Sequence, residues 1–276
     1  MKKNLLLVTV LLLSIAVQAG EKVKNKHKGK FYFYWGWNRS AYTSSDMSFQ
    51  GEGYDFSLGN VKAKDRQTPF QWDTYFNPST LSIPQYNMRF GYFFWNNYEV
   101  SIGVDHMKYV MVQDQSVFIN GSITNSETAY DGEYVNEPLE LKKDFLIFEH
   151  SDGLNYINAS IKRFDDVYCY KMLTIGVSEG IEVGGMMPRT NATLLSKDRN
   201  DEFHWAGYGI SALGSVRLTL WKHFFIQSEV KGGLVNLPDV RTTPSVADKM
   251  RHRFSYVQTN ILFGFSLQLL KSSSME

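Results

Sequence analysis

The sequence has a single cysteine, no excess of charge of either sign, and no apolar run long enough to cross a membrane as a helix. One cysteine, Cys169, in 276 residues excludes an intramolecular disulfide framework and a zinc site built from several thiolates. Basic residues number 29 and acidic residues 28, a formal charge of +1, so there is no electrostatic footprint for nucleic acid. Beyond the first segment no stretch approaches the roughly 18 apolar residues of a transmembrane helix. There is no glycine loop of the nucleotide-binding type and no zinc-ligand spacing. Charged residues at 21% and hydrophobic residues at 43% also exclude a disordered chain. What the sequence has in abundance is aromatics: 19 Phe, 16 Tyr and 6 Trp, in a chain whose mean hydropathy is −0.29. A polar average with so many rings asks where the rings sit.

Residues 1–19 read as a secretory signal peptide. Lys2 and Lys3 precede the apolar stretch Leu5 to Val17, and Val17-Gln18-Ala19 fits a small-residue cleavage site. The apolar stretch is shorter than the about 20 residues a span needs. Residues 20–30 form a basic segment, with Lys22, Lys24, Lys26 and Lys28, expected at the periplasmic face. The remaining choice is between a soluble secreted protein and a membrane β-barrel, which average hydropathy does not distinguish.

Residues 31–270 carry a period of two, the signature of strands. Phe31, Phe33, Trp35 and Trp37 share one face against Tyr32, Tyr34 and Gly36 on the other. The pattern recurs in seven more segments: 84–94, 98–112, 147–164, 172–187, 203–220, 224–237 and 254–269. Connections alternate strictly between short (95–97, 165–171, 221–223) and long (44–83, 113–146, 188–202, 238–253). That regularity predicts an all-β fold: an eight-stranded, antiparallel, up-and-down transmembrane β-barrel with short periplasmic turns and long extracellular loops. Aromatics near the strand ends predict two interfacial girdles. One holds Trp95, Tyr98, Phe164, Tyr168, Trp221, Phe224 and Phe225; the other holds Trp37, Tyr86, Tyr109, Trp205, Tyr208 and Tyr256. The two largest loops, 44–83 and 113–146, contain strand-like stretches expected to stand above the membrane as a platform for a protein partner.

The segments IPQYNMRFGYFF, YEVSIGVDHMKYVM, FEHSDGLNYIN, AGYGISA and FIQSEVKGGLVNLPD carry a resemblance. The chain resembles the small eight-stranded outer-membrane barrels of Gram-negative bacteria, a widespread family whose members mostly lack an assigned activity. The resemblance implies a fold and a location, integral to the outer membrane among its lipids and lipopolysaccharide, and little chemistry. The chain departs from the family in its lysine-rich early segment and in KSSSME, which extends past the last alternating strand.

Parity assigns Arg89, Lys162, Arg217 and Lys231 to the lumen with Glu99, Asp105, Glu182 and Glu229. Eight strands leave only enough room for side chains, so four cations against four anions predict a plugged, salt-bridged interior of a structural or interaction protein. A second possibility lies at the outer rim, where Asp105, His106 and Lys108 should neighbour Glu149, His150, Ser151, Asp152 and Asn155. His106, Ser151 and Glu149 are the parts of an activated-hydroxyl hydrolase: base, nucleophile and orienting carboxylate. On the outer wall they would face acyl esters of lipid A or phospholipid. The arrangement is similar in kind to that of the lipid A deacylases, without their histidine-serine-asparagine pattern. No cofactor is expected, although Asp105, Glu149 and Asp152 form an oxygen-rich set that would suit calcium at the rim.

Overall fold

The computed structural model describes residues 27–268; the signal segment 1–19, most of the basic segment 20–30 and the tail 269–276 lie outside them. In chain order the elements are β1 (Lys30–Tyr42), β2 (Ser45–Gly51), β3 (Tyr54–Val61), β4 (Ala63–Lys64), α1 (Trp72–Phe76), β5 (Tyr86–Phe93), β6 (Tyr98–Met111) and β7 (Ser116–Ile123). Then follow β8 (Gly132–Glu140), β9 (Leu146–Tyr170), β10 (Leu173–Leu194), β11 (Asn200–Phe203), β12 (Gly207–Leu220), β13 (Phe224–Arg241) and β14 (Lys249–Gln268). Eight of these close a ring in the order β1-β5-β6-β9-β10-β12-β13-β14, with β14 returning onto β1 from Lys30↔Gln268 to Tyr42↔Tyr256. Every pairing is antiparallel.

Alternation decides which side of each strand faces out. Phe90, Ile102, Ile161, Ile181, Val183, Ile210, Val230, Ile261 and Phe263 are exposed on the outer wall, while their sequence neighbours are buried or half-buried. This apolar belt covers residues 31–37 of β1, 88–93 of β5, 98–104 of β6 and 157–164 of β9. It continues over 175–183 of β10, 208–220 of β12, 224–234 of β13 and 257–267 of β14. A contiguous apolar girdle of that extent is unfavourable in water and suits hydrocarbon. Inside the ring, glycine makes room for rings. A Cβ on Gly91 would collide with the Tyr32 ring, and one on Gly176 with the Phe164 ring.

Above the belt the longest strands run on and build an outer extension. Lys249–His252 of β14 pairs with β2, β2 with β3, β3 with β7 and β7 with β8, so the long connections 44–83 and 113–146 contain five strands and a helix of their own. The extension is filled by a hydrophobic core including Met47, Phe49, Phe56, Ile119, Phe145, Phe148, Leu154 and Met250. β4 pairs with the top of β6 at Ala63↔Met111 and Lys64↔Val110. From there residues 65–85 cross the outer faces of β1, β5 and β6 as a strap, which is why both sides of β6 are buried beyond Asp105.

Two expectations are corrected. Residues 165–171 are strand, not turn, up to Tyr170; β9 and β10 extend further than expected, and the successive exposed residues Val167, Tyr168, Cys169 and Tyr170 show no alternation. Phe164, Phe225, Tyr109 and Tyr256 are not girdle residues, because their parity turns them inward. Phe164 and Phe225 join Tyr32, Tyr34, Phe93 and Leu262 in a lower interior cluster, and Tyr109 and Tyr256 join the core of the extension.

Candidate functional site

All eight charges assigned by parity to the lumen are buried there. Strands from around the ring bring five of them together: Arg89 from β5, Asp105 from β6, Glu182 from β10, and Glu229 and Lys231 from β13. Arg89 pairs with Glu182 and, at 3.5 Å, with Asp105. Lys231 pairs with Asp105, with Glu182 at 2.7 Å and with Glu229 at 3.9 Å. Nearer the short-turn end Lys162 meets Glu99 at 3.0 Å, and the Tyr32 hydroxyl donates to the same carboxylate at 2.8 Å. Arg217 has no carboxylate within ion-pair distance among the described residues. It donates to Gln227 (2.8 Å) and lies over the Phe225 and Phe164 rings at 4.2 and 4.7 Å.

Neutral polar side chains complete the network, and sequence reasoning did not single them out. Asn158 accepts from Arg89 (2.6 Å), Ser211 donates to Glu182 (2.9 Å), Asn260 donates to Glu229 (2.9 Å), and Asn87 donates to both Asp105 (2.8 Å) and Gln258 (3.1 Å). Their signal was present in the inward parity they share with the charges. At the short-turn mouth His27 contacts Asp166 (2.9 Å) and packs on Phe93 and Phe164.

The rim residues do not form one cluster. Asp105 lies in the interior network. His150 points into the core of the extension, where Thr190 contacts its Nδ1 (3.2 Å) and its ring lies 6.3 Å from that of His252. The outward set is His106, Lys108, Glu149, Ser151 and Asn155; the extra residues of β9 opposite Lys108 leave this parity intact. Asn155 donates to the Met187 carbonyl (3.2 Å), which turns its Oδ1 toward His106 Nδ1 at 2.8 Å. An amide oxygen only accepts, so His106 carries its proton on Nδ1 and its lone pair on Nε2. The Ser151 hydroxyl donates to Glu149 (2.8 Å), not to His106. Glu149 also takes Arg66 of the strap (2.6 Å) and Asn191 (3.1 Å). Burial works to raise the Glu149 carboxyl, but these hydrogen bonds outweigh it and hold it below its ordinary range. Lys108 is taken up by the strap, and Asp152 pairs with Arg189 at 3.5 Å.

The base and the hydroxyl of the supposed hydrolase therefore lack a direct hydrogen bond. The three carboxylates considered for calcium point to three different cations, Lys231, Arg66 and Arg189, and do not converge. Among the described residues no group of three metal-ligating side chains is present.

No protein-family model and no curated protein matches the chain. Among solved structures it is similar to the outer membrane protein OprG from Pseudomonas aeruginosa, with 11% identity over 89% of this chain and 99% of that one and a TM-score of 0.38. It is also similar to the outer membrane protein AlkL in lipid bilayers (12% identity, 93% and 98% covered, TM-score 0.39) and to Ail of Yersinia pestis (8%, 87% and 99%, 0.32). The molecule's own surface fixes the setting: a closed antiparallel ring pairs backbone groups between strands and leaves no free edge, and the apolar belt suits hydrocarbon around it. The chain is an eight-stranded, membrane-spanning antiparallel β-barrel.

Proposed function

We propose that this protein is a structural or interaction barrel of the cell envelope, closed to solutes, that presents its outer sheet to a partner. The observation that carries the reading is the interior network: Arg89 and Lys231 against Asp105 and Glu182, all buried and mutually paired across the lumen. Charges in such a site hold one another in place, because freeing one leaves its partner desolvated and unpaired. A hydrophobic core above the network adds a second seal. In the bilayer the belt meets lipid. Lipopolysaccharide is the outer-leaflet neighbour this reading assigns to the exposed basic residues Arg39, Arg251 and Arg253, which make no ion pair among the described residues. The partner surface is the outer sheet, where β8 is exposed along nearly its whole length and, among the described residues, pairs only with β7. Proteoliposomes are expected to exclude small sugars as well as protein-free vesicles do; swelling at the rate of a general porin would contradict the closed reading.

One observation favours a second reading, a lipid-ester hydrolase: His106 is oriented by Asn155 as a base on the outer wall. Ser151 turned toward Glu149 speaks against it. Mass spectrometry of lipid A from cells with and without the protein separates the two, and unchanged acylation with abundant folded protein removes the hydrolase.

A further inference from the structure

The strap between β4 and β5 is fastened by its polar side chains and leaves its apolar ones unused. Asp65 accepts from the Ser40 backbone N–H (3.0 Å) and from Gln67 and Gln85. Lys108 donates to Thr68 Oγ1 (3.2 Å) and to the Ile83 carbonyl (3.0 Å), which ties both ends of the crossing to β6. Tyr75 donates to the Thr68 carbonyl (2.7 Å) and Thr80 to the Asp73 carbonyl (2.8 Å), which folds the middle. Yet Phe70, Trp72, Phe76 and Ile83 are 63, 73, 51 and 49% exposed. Three rings pack on one another, Phe70 edge-to-face against Trp72 (5.6 Å) and Trp72 tilted against Phe76 (4.9 Å), and none enters either hydrophobic core.

The height of the rings points to their occupant. Phe76 and Tyr75 lie 5.4 and 5.5 Å from Trp37, ring centre to ring centre. Trp37 in turn touches Trp35 (5.0 Å) and Phe263 (5.8 Å) on the belt. The exposed rings are therefore continuous with the lipid-facing wall. Trp37 is also the last aromatic residue on the outward face of β1; the next on that face is the exposed Arg39. The strap thus sits where apolar wall gives way to cation, the level at which aromatic side chains partition into a membrane interface.

We propose that the strap is an interfacial anchor whose Phe70, Trp72, Phe76 and Ile83 insert into the acyl-chain boundary of the outer leaflet beside the barrel. It requires only that the barrel span the bilayer, so it stands or falls separately from the closed lumen. Because Cys169 is the one cysteine, Cys169→Ser frees the chain for single-site spin labelling. Labels are placed at Trp72→Cys and, in a separate variant, Phe76→Cys, with Ile102→Cys as the belt standard and Val135→Cys on β8 as the aqueous standard. The proteins are reconstituted in phosphatidylcholine vesicles, and relaxation by oxygen is compared with relaxation by a soluble nickel chelate. Labels at 72 and 76 are expected to favour oxygen over nickel, as at 102. Nickel access equal to that at 135 would overturn the proposal. So would exclusion of both reagents, which would mean that a second copy of the chain covers the rings. The second position keeps the test open if one variant fails to insert.

Discussion

At the scale of single residues, Glu182 holds the interior together. It accepts from Arg89, from Lys231 and from Ser211. Glu182→Ala would leave two buried cations sharing Asp105, with Glu229 3.9 Å from Lys231. Breaking one side of a buried ion pair costs roughly 3–5 kcal/mol. The contrast is Lys142, whose pair with Glu140 lies in solvent; Lys142→Ala should change stability by about 0–1 kcal/mol. Urea unfolding followed by tryptophan fluorescence and by heat-modifiable gel mobility measures both. Equal midpoints for the two variants would mean that the interior network contributes nothing to stability. The charged members of this network were legible in the sequence because a period of two places them on the inward side. Their pairings were not, since which cation meets which anion depends on strand tilt and stagger.

At the scale of elements, the outer extension contains a pair of buried histidines, His150 on β9 and His252 on β14, both above the belt. Burial lowers both imidazoles, His252 to about 3. Tyr109 and Ser45 face His252, and Thr190 faces His150. A histidine lowered in this way stays neutral when folded, whereas the opened chain takes up its proton near pH 6.5. The opened state therefore binds more protons below that point, and stability is complete above about pH 6.5 and falls as the pH drops toward the folded value. The slope is about 1.4 kcal/mol per pH unit for each histidine. Hydrogen exchange of β2, β3 and the top of β14, corrected for intrinsic rates, should be faster at pH 5 than at pH 7.5. Protection that does not change across that window would show that these imidazoles do not couple to opening. Elements were legible where one face meets lipid and the other the lumen. They were not legible in the strap, where the contacts that fix its path, such as Lys108 to Thr68 and Ile83, join residues far apart in sequence. The girdle assignments of Phe164, Phe225, Tyr109 and Tyr256 followed position near strand ends, and parity overrode them. The rim cluster dissolved for the same reason: Asp105 and His150 face inward, and only the outward residues remain together.

At the scale of the whole molecule, the high aromatic content and the negative mean hydropathy belong to one design. Outward rings form part of the belt and the strap, inward rings fill the lower cluster and the core of the extension, and polar residues occupy the middle of the lumen. The near-zero net charge of the chain repeats inside the barrel, where Arg89, Lys162, Arg217 and Lys231 face Glu99, Asp105, Glu182 and Glu229. An interior of eight strands is narrow enough for side chains to fill, and here ion pairs occupy the middle while apolar residues occupy the outer extension. Single-channel recording of the pure, full-length barrel in a planar bilayer tests this closure most directly. Its baseline is expected to remain flat across applied potentials of both signs; large, reproducible conductance steps from folded protein would show that the interior is open.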